Sequence, residues 1–142
     1  MTVKATSSSR IFTFEARLAL VALGAVVFAA PSFAEVVVGT ATVLDGDTLE
    51  VMGKRVRLSG IDAPELDQTC DRNGSRWGCG QAAKAQLSSM VSGKQVRCRG
   101  EERDVYTRLI AVCTVGYLEL NKALVEDGWA VVYGDNRGAY LA

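Results

Sequence analysis

A chain of 142 residues, 49% hydrophobic and 23% charged, with 16 Lys+Arg against 16 Asp+Glu, has the size of one small globular domain. It contains no histidine, which excludes Ser-His-Asp and Cys-His nucleophile systems and any imidazole base. Hydrolytic chemistry, if present, falls to carboxylates, arginines and a metal.

The first 34 residues read as a secretory signal peptide. Lys4, Arg10 and Arg17 form a basic lead-in, residues 18–30 are an unbroken apolar run, and Ser32-Phe33-Ala34 supplies the small residues of a cut after Ala34. Thirteen helical residues reach only about 20 Å, short of a hydrocarbon core of about 30 Å, so a spanning anchor is the weaker reading. Cleavage gives a mature chain 35–142 without stable membrane association, periplasmic or secreted. It keeps 13 of the 16 basic and 15 of the 16 acidic residues, a net charge of −2. A broad basic face for nucleic acid is therefore absent, and phosphate contacts must come from local arginines.

Residues 36–44 form a β-rich run, the first expected strand. Asp45-Gly46-Asp47 is a turn, and Thr48–Met52 alternates, with Leu49 and Val51 on one face and Thr48, Glu50 and Met52 on the other. Gly53-Lys54 is expected to turn the chain back into a strand over Arg55–Ile61. Pro64 then directs Ile61-Asp62-Ala63-Pro64-Glu65 out of the sheet. The charges of this stretch suit a hard cation beside a phosphate. Asp47 and Asp62, with a backbone carbonyl and waters, are the oxygen set that Ca²⁺ accepts. Arg57 offers a planar fork for phosphate oxygens, and Glu65 is placed to activate a water.

Residues 66–80 are polar and glycine-rich, a loop. Gln81–Val91 reads as a helix stopped by Gly93, Gln95–Arg99 as a strand, and Arg108–Thr114 as another. Asn121–Asp127 is a short helix ended by Gly128, and Trp129–Tyr133 is extended. Five short strands with a helix after the third imply an α+β class, an OB-type Greek-key barrel with two helices. Leu120, Leu124 and Val125 read as core, Asn121 as structural, and both tryptophans as packing residues. Cys70, Cys79, Cys98 and Cys113 imply two disulfides in an exported chain; with no CxxC and no histidine, zinc is the poorer reading. Of three connectivities, Cys70–Cys79 and Cys98–Cys113 are favoured.

The string DGDT, then RLxGIDAPE, then Asp104-Val105-Tyr106-Thr107-Arg108 and LNKALVEDGWA resembles the thermonuclease (staphylococcal-nuclease-like) family over nearly all of 36–133. The resemblance implies a calcium-dependent endonuclease that hydrolyses DNA and RNA to 3′-phosphate and 5′-hydroxyl ends; a monomer is expected. It implies Arg57, Glu65 and Arg108 as catalytic residues. Asp47, Asp62 and the Ala63 carbonyl would be metal ligands, with Asp45 behind them. Tyr106 and Tyr133 would be nucleotide-binding residues. Thr107 stands where the family has glycine, Val105 where some members are basic, and a third helix is expected past residue 136, where the chain stops at Ala142. These departures favour the competing readings: a non-catalytic nucleic-acid- or protein-binding module, or an inactive truncated fragment.

Overall fold

The computed structural model describes residues 33–134 and Tyr140. The expected leader, Phe33 and Ala34 apart, and the third-helix segment past residue 136, Tyr140 apart, lie outside the described residues. No described helix is long and apolar enough to cross a membrane.

The first expected strand comes as two, β1 (Glu35–Gly39) and β2 (Ala41–Val43). They change partner at Gly39, where a Cβ would lie 2.6 Å from the Met52 side chain. There follow β3 (Thr48–Val51), β4 (Lys54–Leu58), β5 (Ile61–Asp62), β6 (Cys70–Arg72) and β7 (Ser75–Trp77). Then come α1 (Cys79–Val91), β8 (Val96–Arg103), β9 (Leu109–Val115), β10 (Leu118–Glu119), α2 (Leu120–Glu126) and β11 (Val131–Val132). The main sheet runs β1-β8-β9-β4-β3-β2, with β10 beside β9 and β11 paired with β5. Its two edges, β1 and β2, are separated in sequence by Thr40 alone. Such a sheet must curl until its edges meet, which is how five strand directions make an OB-type barrel.

Local differences from the expected elements have local causes. Val51 pairs with Lys54, so the hairpin turn is Met52-Gly53, not Gly53-Lys54. Both turn residues have positive φ, 52° and 74°, the two-residue turn that matches strand twist. The loop 66–80 contains the hairpin β6–β7, because Cys70 pairs with Trp77 across an Asn73-Gly74 turn whose residues both have positive φ.

Leu49, Val51, Val56, Leu58, Val96, Leu109 and Ala111 fill the barrel, and Ala83, Leu87, Leu120 and Leu124 close it from the helices. Val125 packs against this core half-buried. Asn121 is fully buried: its Oδ1 accepts the Cys113 N–H (3.0 Å) and its Nδ2 donates to Ser59 and Ala111 carbonyls (2.9 and 3.2 Å). The disulfides are Cys70–Cys79 and Cys98–Cys113. The second joins directly opposed residues of β8 and β9. Trp129 packs on the core, whereas Trp77 lies in the hairpin under Arg72, whose guanidinium is 4.4 Å from the ring centroid.

Candidate active site

Gly46 in the first turn is demanded by packing: a Cβ there would lie 2.7 Å from that of Ala63 and 2.9 Å from that of Ala83. This close approach sets Asp47 into the protein, 4% exposed, at the entrance to β3. Its N–H donates to Asp45 Oδ1 (3.1 Å), as Asp-Gly turns favour. Both of its carboxylate oxygens accept hydrogen bonds, and Oδ2 keeps a free lone pair. Oδ1 accepts from Arg57 Nη1 (2.5 Å) and Thr48 Oγ1 (3.1 Å), and Oδ2 accepts the Ala63 N–H (3.2 Å).

Arg57 stands opposite Thr48 on β3 and beside Ile110 on β9. Its second nitrogen, Nη2, donates to Asp62 Oδ1 (2.8 Å). One guanidinium therefore holds together two carboxylates fifteen positions apart, brought there by β3 and by the β5–β11 pair. Burial pushes the Asp47 carboxyl up, against the Ala63 N–H and the Arg57 charge that pull it down. Burial also opposes the Arg57 charge, but Asp47 and Asp62 outweigh it and raise its pKa further, so the cation persists.

The facing wall is the loop between β8 and β9. Asp104 shapes it: Oδ1 accepts the N–H groups of Tyr106 and Arg108 (both 3.0 Å), and Oδ2 accepts Arg108 Nε (2.7 Å). Slight burial pushes the Asp104 carboxyl up, but these bonds together hold it below the usual carboxylate range. Thr107 has φ 66°, so the turn for which glycine was expected keeps its left-handed conformation with a β-branched residue in it. Arg103 Nη1 donates to the Thr107 carbonyl (2.6 Å). Arg108 Nη1 reaches Thr48 Oγ1 (3.3 Å), and its guanidinium lies 5.4 Å from the Tyr106 ring centroid. The Thr48 hydroxyl thus accepts from Arg108 and donates to Asp47, linking the two walls.

Between the walls lies a cleft of about 500 Å³ lined by Arg57, Asp62, Glu65, Tyr106, Arg108 and Tyr133, with Asp45, Asp104 and Ile110. Six of the eight ligand, catalytic and nucleotide-binding residues expected from the sequence meet here, and so does Asp45, expected behind the metal. Asp47 is behind Arg57, and Ala63 lines a smaller adjoining hollow of about 220 Å³ that shares Asp62. Glu65 is exposed and its carboxylate makes no ion pair or hydrogen bond with a described residue; its N–H donates to Gln68 Oε1 (3.1 Å). Gly80 lies so close to the Glu65 carbonyl that a Cβ would come within 1.7 Å of it, which docks the start of α1 on this segment. Sequence reasoning missed Thr48 and Asp104 as site residues. The available signals were the threonine that completes DGDT and an acid four residues before an arginine.

Among the described residues no three His, Cys, Asp or Glu side chains gather round one point. The donors that converge are two carboxylates, all oxygen, and all four cysteines are in disulfides. This set fits a hard divalent cation and not a thiophilic one.

Residues 55–140 match the family described as staphylococcal nuclease homologue, a span holding Arg57, Asp62, Glu65 and Arg108 but not Asp47. The chain is 38% identical over 113 residues to "Succinoglycan biosynthesis protein ExoI" of Rhizobium meliloti (strain 1021), covering 77% of this chain and 59% of that protein. It is 36% identical over 94 residues to an "Uncharacterized endonuclease" of Haemophilus influenzae, covering 63% and 48%. It is 38% identical over 96 residues to an "Uncharacterized endonuclease" of Escherichia coli O157:H7, covering 64% and 57%. The chain thus spans about half to three-fifths of the length of these relatives.

Proposed function

The chain belongs to the staphylococcal nuclease homologue family, and from that membership we propose that it is a calcium-dependent endonuclease hydrolysing phosphodiester bonds of DNA and RNA, leaving 3′-phosphate and 5′-hydroxyl ends. The observation that carries this reading is the convergence of Glu65, Arg57 and Arg108 on one cleft whose floor joins Asp47 to Asp62.

In this reading the two arginines approach the phosphate from opposite walls. Their charges are fixed before the substrate arrives, so they stabilise the extra negative charge of the pentavalent state without reorganisation. Glu65 is the one carboxylate of the cleft we assign to the water: it lacks a cationic partner among the described residues, so its oxygens are available to take the proton. The attacking oxygen bonds to phosphorus, the bond to the 5′ oxygen breaks, and that oxygen takes a proton from solvent to leave as a hydroxyl. Tyr106 and Tyr133, both about two-thirds exposed or more, offer faces on which bases stack. Asp47, Asp62 and the Ala63 carbonyl would hold Ca²⁺, which when bound supplies Lewis-acid stabilisation of phosphate charge. Thr48 and Asp104 position Arg108 through the bonds already described.

Two disulfides are the chemistry of an oxidising compartment. With the leader read in the sequence, they support a periplasmic or secreted enzyme, which we take to act as a monomer. The test is digestion of single-stranded DNA by the purified mature protein with Ca²⁺ or with a chelator, alongside Glu65→Gln. The expected result is chelator-sensitive cleavage, much weakened by the substitution. Strand binding without cleavage by the parent would overturn the reading in favour of a binding module.

A further inference from the structure

We propose that the cleft continues into a second phosphate-binding subsite centred on Arg55, with Lys54 and Arg103 beside it, so that the ligand is an extended single strand and not an isolated nucleotide. The proposal rests on the nuclease reading for the identity of that strand. Its evidence is separate: the register of one sheet face and a cavity outside the cleft.

Arg55 and Arg57 are two residues apart on β4, where the burial of Val56 and Leu58 turns both arginines to the same outer face. Two positions along a strand span about 6.6 Å, the order of one nucleotide of an extended chain. The register continues the face on β3, where Thr48 lies opposite Arg57 and Glu50 opposite Arg55. A cavity of about 360 Å³ opens there, lined by Glu50, Lys54, Arg55, Arg103, Tyr106 and Thr107. Tyr106 lines both this cavity and the cleft. Its ring, 72% exposed, is the shared wall over which a base can lie while its flanking phosphates face Arg57 and Arg55.

Charge accounting singles out Arg55. Lys54 Nζ and Arg103 Nη2 both donate to Glu35 (2.6 and 2.5 Å), so one carboxylate offsets two cations. Glu50 is the acidic member of the lining and moderates the field. Arg55 is exposed, and its guanidinium makes neither ion pair nor hydrogen bond with any described residue. An arginine left so, in a cavity that shares the Tyr106 wall with a phosphate site, is a contact for the next phosphate.

The experiment compares parent, Arg55→Lys and Arg55→Ala on two substrates, a dinucleoside monophosphate and a long single-stranded oligonucleotide. Binding is measured separately in a Glu65→Gln background by fluorescence anisotropy over a range of salt. Arg55→Ala is expected to leave kcat/KM on the dinucleotide unchanged. It should raise KM on the long strand roughly threefold to fivefold, the scale of one exposed ion pair. It should also reduce the slope of log K against log salt by about 0.7, one phosphate contact on a single strand. Arg55→Lys should restore most of the slope. Equal losses on both substrates, or an unchanged salt slope, would overturn the subsite. A parent that cleaves neither substrate would sink the proposed activity instead, and the anisotropy slope would still decide the subsite.

Discussion

The two walls of the cleft present the same chemical group on different foundations. Arg57 belongs to a strand flanked on both sides, and both of its terminal nitrogens are tied to carboxylates, one of them almost wholly buried. Arg108 ends a loop whose shape depends on one acid, Asp104, and on a threonine held at positive φ. Equal roles toward a phosphate therefore do not mean equal roles in the fold. Arg57 is part of the structure that surrounds it; Arg108 is displayed by a loop that persists without it.

The largest expected effect treats the walls alike. Arg57→Ala and Arg108→Ala should each lower the rate of single-stranded DNA cleavage by roughly 10²–10³, the scale for one preorganised charge contact. A variant that digests DNA like the parent removes its arginine from the machinery.

Stability should then separate them. Arg57→Ala leaves the Asp47 carboxylate buried with only the Thr48 and Ala63 donors, and should cost about 2 kcal/mol in chemical denaturation. Adding Asp47→Asn should recover part of that loss. Arg108→Ala should cost less than about 1 kcal/mol, because Asp104 keeps the N–H groups of Tyr106 and residue 108. Equal losses would contradict the contrast between strand and loop.

A smaller effect sharpens the comparison from the loop side. Thr107→Gly relieves a left-handed β-branched residue and should stabilise the protein by about 1 kcal/mol, read as a raised denaturation midpoint. A loss of stability would show that the Arg103 bond to the 107 carbonyl does not hold the turn once the side chain is gone.

The smallest effect is in pH, and its sign differs between walls. Asp47, raised by burial, contributes stability that is full below its unfolded pKa, about 3.9, and is lost as pH rises through its higher folded value. Asp104, lowered by Arg108 and the backbone N–H groups, contributes stability present above about 3.9 and lost as pH falls through its lower folded value. Asp47→Asn should therefore flatten the stability profile above about pH 4 and Asp104→Asn below it. The same direction of change in both windows would refute the assignment.

This contrast also explains what the sequence made legible. The Arg57 wall follows from alternation on β3 and β4 and from Pro64, signals local enough to read directly, so Asp47, Arg57, Asp62 and Glu65 stand out there as candidates. The disulfide pairing was legible because Cys98 and Cys113 sit on strands that periodicity detects. The loop wall was less so. Arg108 and Tyr106 came from resemblance, and Asp104 was missed because its three hydrogen bonds depend on a turn conformation that a threonine at position 107 argues against. Thr48 was missed because its hydroxyl meets a partner sixty positions away. The split between β1 and β2 was hidden since both halves share one β-rich composition, and only the closure of the sheet separates them.

Whether the cleft joins a calcium ion to a nucleic-acid strand is decided by calorimetric titration of Ca²⁺ into the Glu65→Gln variant, with a single-stranded oligonucleotide present and absent. One calcium should bind per protein, tightened by the strand, lost in Asp62→Asn, and no longer tightened by the strand in Arg108→Ala. Calcium uptake that ignores both the strand and Asp62, or no uptake by the folded and oxidised protein, would contradict it.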